Sequence, residues 1–207
     1  SISSAIGACI RHLLSDGAEV STAKWQGVNK PPAFIECLGV SFEAPMPETI
    51  DQAREQCLPL LPWADVHFDE RSSGIPHNPP PSHEQWLKGT HDYLAGDKFS
   101  HSYPERLWSK GLSTGIRYET GDLQTAVELL ASQPDTRQCY VPIWYPEDIT
   151  ASLAGERVPC TLGWHFIVRD NKLHCFYPMR SCDALRHFHN DIYLAIRLTD
   201  YMRKAAG

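Results

Sequence analysis

Seven cysteines are scattered through 207 residues, and no two of them form a Cys-x-x-Cys pair. One of them, Cys160, stands directly after Pro159 at the head of the run CTLGWHFIVR, and twenty positions on comes Arg180. Between them Asp170-Asn171 is a short polar turn of the kind that closes a hairpin, so positions 160 and 180 come together at the open end of two antiparallel strands. A guanidinium beside a thiol favours the thiolate, which is the nucleophile. Strand alternation alone places Cys160 on one face with Leu162, Trp164, Phe166 and Val168, and describes a core cysteine. The arginine makes it a candidate nucleophile instead. His187-x-His189 lies close to Cys182 and brings metal-ligand side chains together. Zinc needs three or four converging donors, and a His-x-His pair in a loop more often describes two exposed histidines, so no metal is expected.

The elements that position these residues follow from periodicity. Ile2, Ile6, Cys9, Ile10, Leu13 and Leu14 form a helical stripe that stops at Gly17. Ala33 to Phe42 reads as a mostly buried strand from its apolar and β-branched content. A helix is expected near 48–60 until Pro59 and Pro62 interrupt it, then a proline-rich loop SSGIPHNPPPSHEQ, then a short helix over 84–96. The spacing of Leu123, Ala126, Val127 and Leu130 predicts a helix capped by Asp122 or Thr120. A strand QCYVPIWY, a loop over 146–159 and the hairpin CTLGWHFIVR/KLHCFYPM come next. Asn190 or Asp191 opens a last helix with Ile192, Ala195, Ile196 and Thr199 on one face. The order is α+β, with a mixed or antiparallel sheet packed by helices.

Composition narrows the function. A chain of this length forms one domain that buries roughly 70% of its unfolded surface without needing disulfides. An odd number of scattered cysteines describes reduced thiols and a cytoplasmic protein. No apolar run approaches the ~20 residues of a bilayer span, so no membrane is expected. The net charge of −6 argues against a nucleic-acid surface. An anionic ligand must then be held by a few placed arginines.

The block from Arg157 to Asp191 resembles the thymidylate synthase superfamily, pyrimidine nucleotide C5 transferases that use 5,10-methylenetetrahydrofolate. The resemblance rests on Pro159-Cys160, on Arg180-Ser181 and Asp183, and on a base-reading residue eleven positions after the arginine. Weaker matches at LGVSF (38–42), SYPERLW (102–108) and PDTRQ (134–138) extend it over most of the chain. Thymidylate synthases carry asparagine at the base-reading position, whereas this sequence has Asp191. Together with Thr161, Met179, VRDNKL and Phe188-x-Asn190-Asp191, this looks like the deoxycytidylate hydroxymethylase branch. A carboxylate accepts from the two adjacent donors of a protonated cytosine, although it also suits a helix N-terminus.

The resemblance implies hydroxymethylation of a cytidine monophosphate, dCMP or CMP, through a Cys160–C6 adduct. The alternatives are C5 methylation of dUMP and a non-catalytic nucleotide-binding relative. It implies that Arg180, Ser181, Asp183 and Asn190 contact the nucleotide, that Asp183 and Trp63 contact folate, and that Arg137 reaches across a homodimer to the partner's phosphate. Three departures stand out. The family's catalytic glutamate lies three residues before a tryptophan, where this chain has Leu60, which leaves Glu55 or Glu70, and Glu55 is the one taken here. Arg137 is followed by Gln138 rather than a second arginine. The family's further strand, with its His-x-Tyr pair for the sugar, and its closing tail have no counterpart before Gly207. The expectation is a single thymidylate synthase-like domain over 1–207 lacking both.

Overall fold

The computed structural model describes residues 1–22, 24–25, 28–29, 32–85, 94–108 and 122–207. At its centre are β7 (Tyr140–Pro142), β8 (Gly163–Arg169) and β9 (Lys172–Phe176), joined antiparallel in the order β7-β8-β9. Asp170 and Asn171 carry φ of 51° and 57°. Two consecutive left-handed residues match the right-handed twist of the flanking strands, and Asp and Asn tolerate that conformation better than other side chains. The hairpin is therefore the one the sequence predicts, pairing Arg169 with Lys172 and Phe166 with Cys175. β7 approaches β8 so closely that a Cβ on Gly163 would meet the Tyr140 hydroxyl and the Val141 carbonyl, both at 2.6 Å.

Trp164 and Phe166 point from β8 into a core shared with α5 (Leu123–Ser132) and α7 (Phe188–Ala206). α5 is capped by Asp122, which accepts from the Thr125 backbone N–H at 3.1 Å. The sequence reading gave α7 one apolar face, whereas the structure buries two. Leu194, Leu198 and Met202, at i, i+4 and i+8, enter the core under the sheet. Ile192, Tyr193 and Ile196 enter a second core with Ala53, Cys57 and Trp63. α7 also begins at Phe188, ahead of the expected Asn190 or Asp191.

The second core is closed by α1 (Ile2–Asp16), α2 (Ile50–Cys57) and α3 (Trp63–Ser72). α1 ends where the stripe predicts, with the Gly17 N–H donating to Leu13 O. α4 (Tyr103–Leu107) carries a full capping box, in which the Ser102 hydroxyl accepts from Glu105 N and the Glu105 carboxylate accepts from Ser102 N.

Three local expectations are corrected. In the 33–42 stretch only Phe34–Glu36 forms a strand, β4, which pairs with β1 (Ala18–Val20) as a two-stranded ribbon. Its apolar side chains are not buried: Ile35 is 52% and Leu38 84% exposed. Apolar content measured propensity there, not burial. The expected loop over 146–159 contains α6 (Glu147–Leu153), whose first-turn acids Glu147 and Asp148 suit a helix N-terminus. Most of the expected 84–96 helix lies outside the described residues, and its end, Leu94–Ala95, is a strand, β5, paired with β6 (Lys98–Phe99). Short antiparallel pairs of Lys24–Trp25 with Val28–Asn29 give β2 and β3. Among the described residues no helix is long and apolar enough to cross a membrane.

Candidate functional site

The ladder between β8 and β9 continues beyond both strands, but with a slip. His165 pairs with Phe176, while four residues earlier Thr161 pairs with Met179, only three residues later. One strand has gained a residue, which is a bulge, and a bulge reverses which side chains face the core. Simple alternation sends Cys160 into the apolar interior; instead Thr161 is fully buried and Cys160 is half-buried. The bulge frees the thiol from the core and places it beside residue 180. The Arg180 N–H donates to Cys160 O at 2.9 Å, and the guanidinium donates from Nε to Pro159 O (2.8 Å) and from an Nη to Val158 O (3.2 Å). One arginine thus grips the backbone on both sides of the Pro159-Cys160 peptide. The Ser181 hydroxyl donates to Cys160 Sγ at 3.7 Å.

The following thiol leads to the carboxylate. Cys182 Sγ donates to Asp191 Oδ2 at 3.4 Å. Burial raises the Asp191 carboxyl above the ordinary aspartate range, and the charge of Arg71, the Cys182 thiol and His187 oppose that rise, in that order. Cys182 itself is driven far up by burial and by Asp191, so it stays a thiol. Cys57, Cys139 and Cys175 are pushed up to about 11 by burial, which leaves them as packing groups.

Behind Cys160 lies a polar network that periodicity does not reveal. Thr161 Oγ1 is 3.1 Å from the Tyr103 hydroxyl, which donates to it, and 2.9 Å from that of Tyr177. Arg71 stacks over the Tyr103 ring at 4.1 Å. An Arg71 Nη donates to His67 Nε2 at 2.6 Å. A guanidinium can only donate, so His67 carries its proton on Nδ1, which bonds Glu70; Glu70 also accepts from the Ser82 hydroxyl and N–H, each at 2.8 Å. Burial pushes His67 down to about 4 and keeps it neutral. The one available signal in the sequence is the polar spacing His67, Glu70, Arg71 on a single helix face.

Cys160, Arg180, Ser181 and Asp191 all lie in the part of the chain that matches a known family. The thymidylate synthase family model matches residues 84–207, more than half of the chain. This chain belongs to the thymidylate synthase family. Its fold is similar to that of thermostable thymidylate synthase A from Bacillus subtilis, with a TM-score of 0.61 and 15% identity over 99% of this chain and 72% of that one. The thymidylate synthase family carries out folate-dependent one-carbon transfer to C5 of a pyrimidine nucleotide.

Within that family frame, Cys160, Arg180, Ser181 and Asp191 are brought together, and five expected site residues lie elsewhere or are otherwise engaged. Glu55 is exposed on the side of α2 opposite Ala53 and Cys57, whereas Glu70 is buried beneath Arg71. Asn190 is buried and spends its amide on the backbone, accepting from Leu60 N at 2.8 Å and donating to Arg186 O at 3.2 Å. Arg137 is exposed between α5 and β7, where its carbonyl accepts from His165 Nε2. Of the two residues expected against folate, Asp183 is exposed one position past Cys182, with Oδ1 accepting from Leu185 N and Arg186 N. Trp63 does not fit that role, because its indole is buried in the second core and stacks on His67 at 4.6 Å. Among the described residues, no group of three or more His, Cys, Asp or Glu side chains could hold a metal ion.

Proposed function

We propose that this chain hydroxymethylates C5 of a cytidine monophosphate, dCMP or CMP, through a covalent bond from Cys160 to C6 of the base. The observation that carries this reading is the half-buried carboxyl of Asp191, linked through Cys182 to the residue that meets Cys160 Sγ. Cytosine presents its amino group and, once protonated at N3, a second N–H beside it; an ionised carboxylate accepts from both. Protonation at N3 also draws electrons from the ring and eases thiolate attack at C6. Formation of the S–C6 bond moves the C5=C6 electron pair onto C5. The 5,10-methylenetetrahydrofolate supplies the one-carbon unit that C5 takes up. C5 then loses its proton as tetrahydrofolate departs from the new CH2 group, water adds to the exocyclic methylene so formed, and departure of the Cys160 thiolate restores the ring.

Arg180 and Ser181 hold the phosphate in this reading, since the planar guanidinium suits a phosphate and remains exposed. Arg137 adds a contact from the partner in a homodimer, a role that an exposed loop position permits. Glu55 is exposed and none of the bonds described around Cys160 reaches it, so this reading gives it no step.

A second reading, methylation of dUMP, is favoured by one observation. Burial raises Asp191, and a protonated carboxyl offers one donor and one acceptor, the complement of uracil's edge. Incubation with dCMP, CMP or dUMP and methylenetetrahydrofolate, followed by mass spectrometry of the product, separates the two. Hydroxymethylated cytidylate is expected. Methylated uridylate as the sole product would reject the proposal, and failure to release tritium from C5 of labelled cytidylate would point to a binder without chemistry.

A further inference from the structure

We propose that Trp144 is a positioning residue for the substrate phosphate: its ring carries the Arg180 guanidinium and leaves the unspent donors of that guanidinium to the phosphate oxygens. The inference rests on the reading of Arg180 as the phosphate-holding group.

A guanidinium has five N–H donors, one on Nε and two on each Nη. Arg180 spends Nε on Pro159 O at 2.8 Å and one Nη2 donor on Val158 O at 3.2 Å. Among the described residues no hydrogen bond uses Nη1 or the second N–H of Nη2. One donor from each of these nitrogens makes a parallel pair, which matches two oxygens of a phosphate. The backbone bonds tie one edge of the fork, and Trp144 supports its face. The guanidinium carbon lies over the half-buried Trp144 ring, 5.5 Å from its centroid. An aromatic face attracts a guanidinium through the ring quadrupole and stacks against its plane.

Trp144 is itself held from two directions. Its N–H and that of Ile143 both donate to Leu162 O, at 3.1 and 3.0 Å, two residues past Cys160. On the other side Arg106 of α4 and Asp148 of α6 form a largely buried two-pronged ion pair, at 2.8 and 3.1 Å. Arg106 also donates to Ile143 O at 3.2 Å, and Asp148 accepts from Tyr145 N at 2.7 Å. One ion pair therefore fixes the residues before and after Trp144, and the chemistry at Cys160 gives that pair no other task.

The consequence concerns affinity rather than bond making. A long arginine loses rotamer freedom when it grips an anion. Arg180 is stacked and tied before the nucleotide arrives, so that loss falls on folding and not on binding.

The test measures affinities by calorimetry for dCMP with deoxycytidine and for CMP with cytidine. Each pair shares base and sugar, so its ratio isolates the phosphate. In the tighter-binding pair Trp144→Leu should lower the ratio by about threefold or more, the loss of a cation–π contact at an exposed site. A smaller loss overturns the proposal, since a merely structural role weakens both ligands together. Trp144→Phe keeps an aromatic face and should lose less; an equal loss overturns the proposal too. Arg180→Gln separates this claim from the reading beneath it. An unchanged ratio in Arg180→Gln rejects Arg180 as the phosphate group, whereas a lowered ratio there with an unchanged one in Trp144→Leu rejects only the positioning role. Should Trp144→Leu fail to fold, the tryptophan fluorescence of the wild type is compared on adding the nucleotide and the nucleoside. A difference between the two that disappears in Trp144→Phe supports the stack, and a difference that persists, or none at all, overturns it.

Discussion

Thr161→Val removes one hydroxyl and keeps the branched shape of a fully buried side chain, so no cavity opens. What it removes is the shared partner of two tyrosines. Tyr177 loses its 2.9 Å contact, and Tyr103 loses its 3.1 Å acceptor while keeping the Thr161 backbone N–H at 3.5 Å. Burial already raises the titration of both phenols, so water does not readily replace what is lost. Each orphaned neutral hydroxyl costs about 1–2 kcal/mol, and the pair about 2–4 kcal/mol. Against a total stability of about 5–15 kcal/mol, and with a urea dependence of about 1–3 kcal/mol per molar, the urea midpoint should fall by about 1–2 M. Equilibrium urea unfolding followed by tryptophan fluorescence measures it. Tyr103→Phe in the Thr161→Val background should then cost little more, because the two substitutions remove the same bond. A midpoint within about 0.2 M of wild type would show that Thr161 does not join the tyrosines, and the network behind the nucleophile would have to be withdrawn.

Cys160→Ser should abolish C5 tritium release from cytidylate while leaving nucleotide binding measurable by calorimetry; full release would remove this thiol from the mechanism. Asp191→Asn should move the ratio of kcat/KM values from cytosine toward uracil nucleotides, and an unmoved ratio means that the base is read elsewhere. Stability should fall on acidification from about pH 6.5 to about 4. His67 and His101 are held neutral, both pushed down to about 4 chiefly by burial, so the unfolded chain binds protons that the folded chain refuses. Each contributes up to about 1.4 kcal/mol per pH unit in that window and nothing further below it. Urea midpoints measured across the window should show a flatter slope in His101→Gln, and an equal slope would mean that His101 is protonated in the native state.

The sequence by itself determined what is written within a few neighbouring residues. Asp170-Asn171 dictates the hairpin because a turn of two left-handed residues is a local choice, and Asp122 dictates the start of α5 because a cap bonds only three residues ahead. The grouping of Cys160 with Arg180 follows from that hairpin, which is why their proximity was legible. The tertiary structure decided the rest. A one-residue bulge between Thr161 and His165 turns Cys160 out of the core and Thr161 into it, and no periodicity in the strand signals it. Packing of α3 against α7 buries Trp63, and the Arg71 guanidinium comes to lie over the Tyr103 ring, a group 32 residues away in the chain. The same polar spacing on α3 would serve equally well on a solvated helix. Its buried position under Tyr103 and Thr161 comes from long-range packing, which local residue order does not encode.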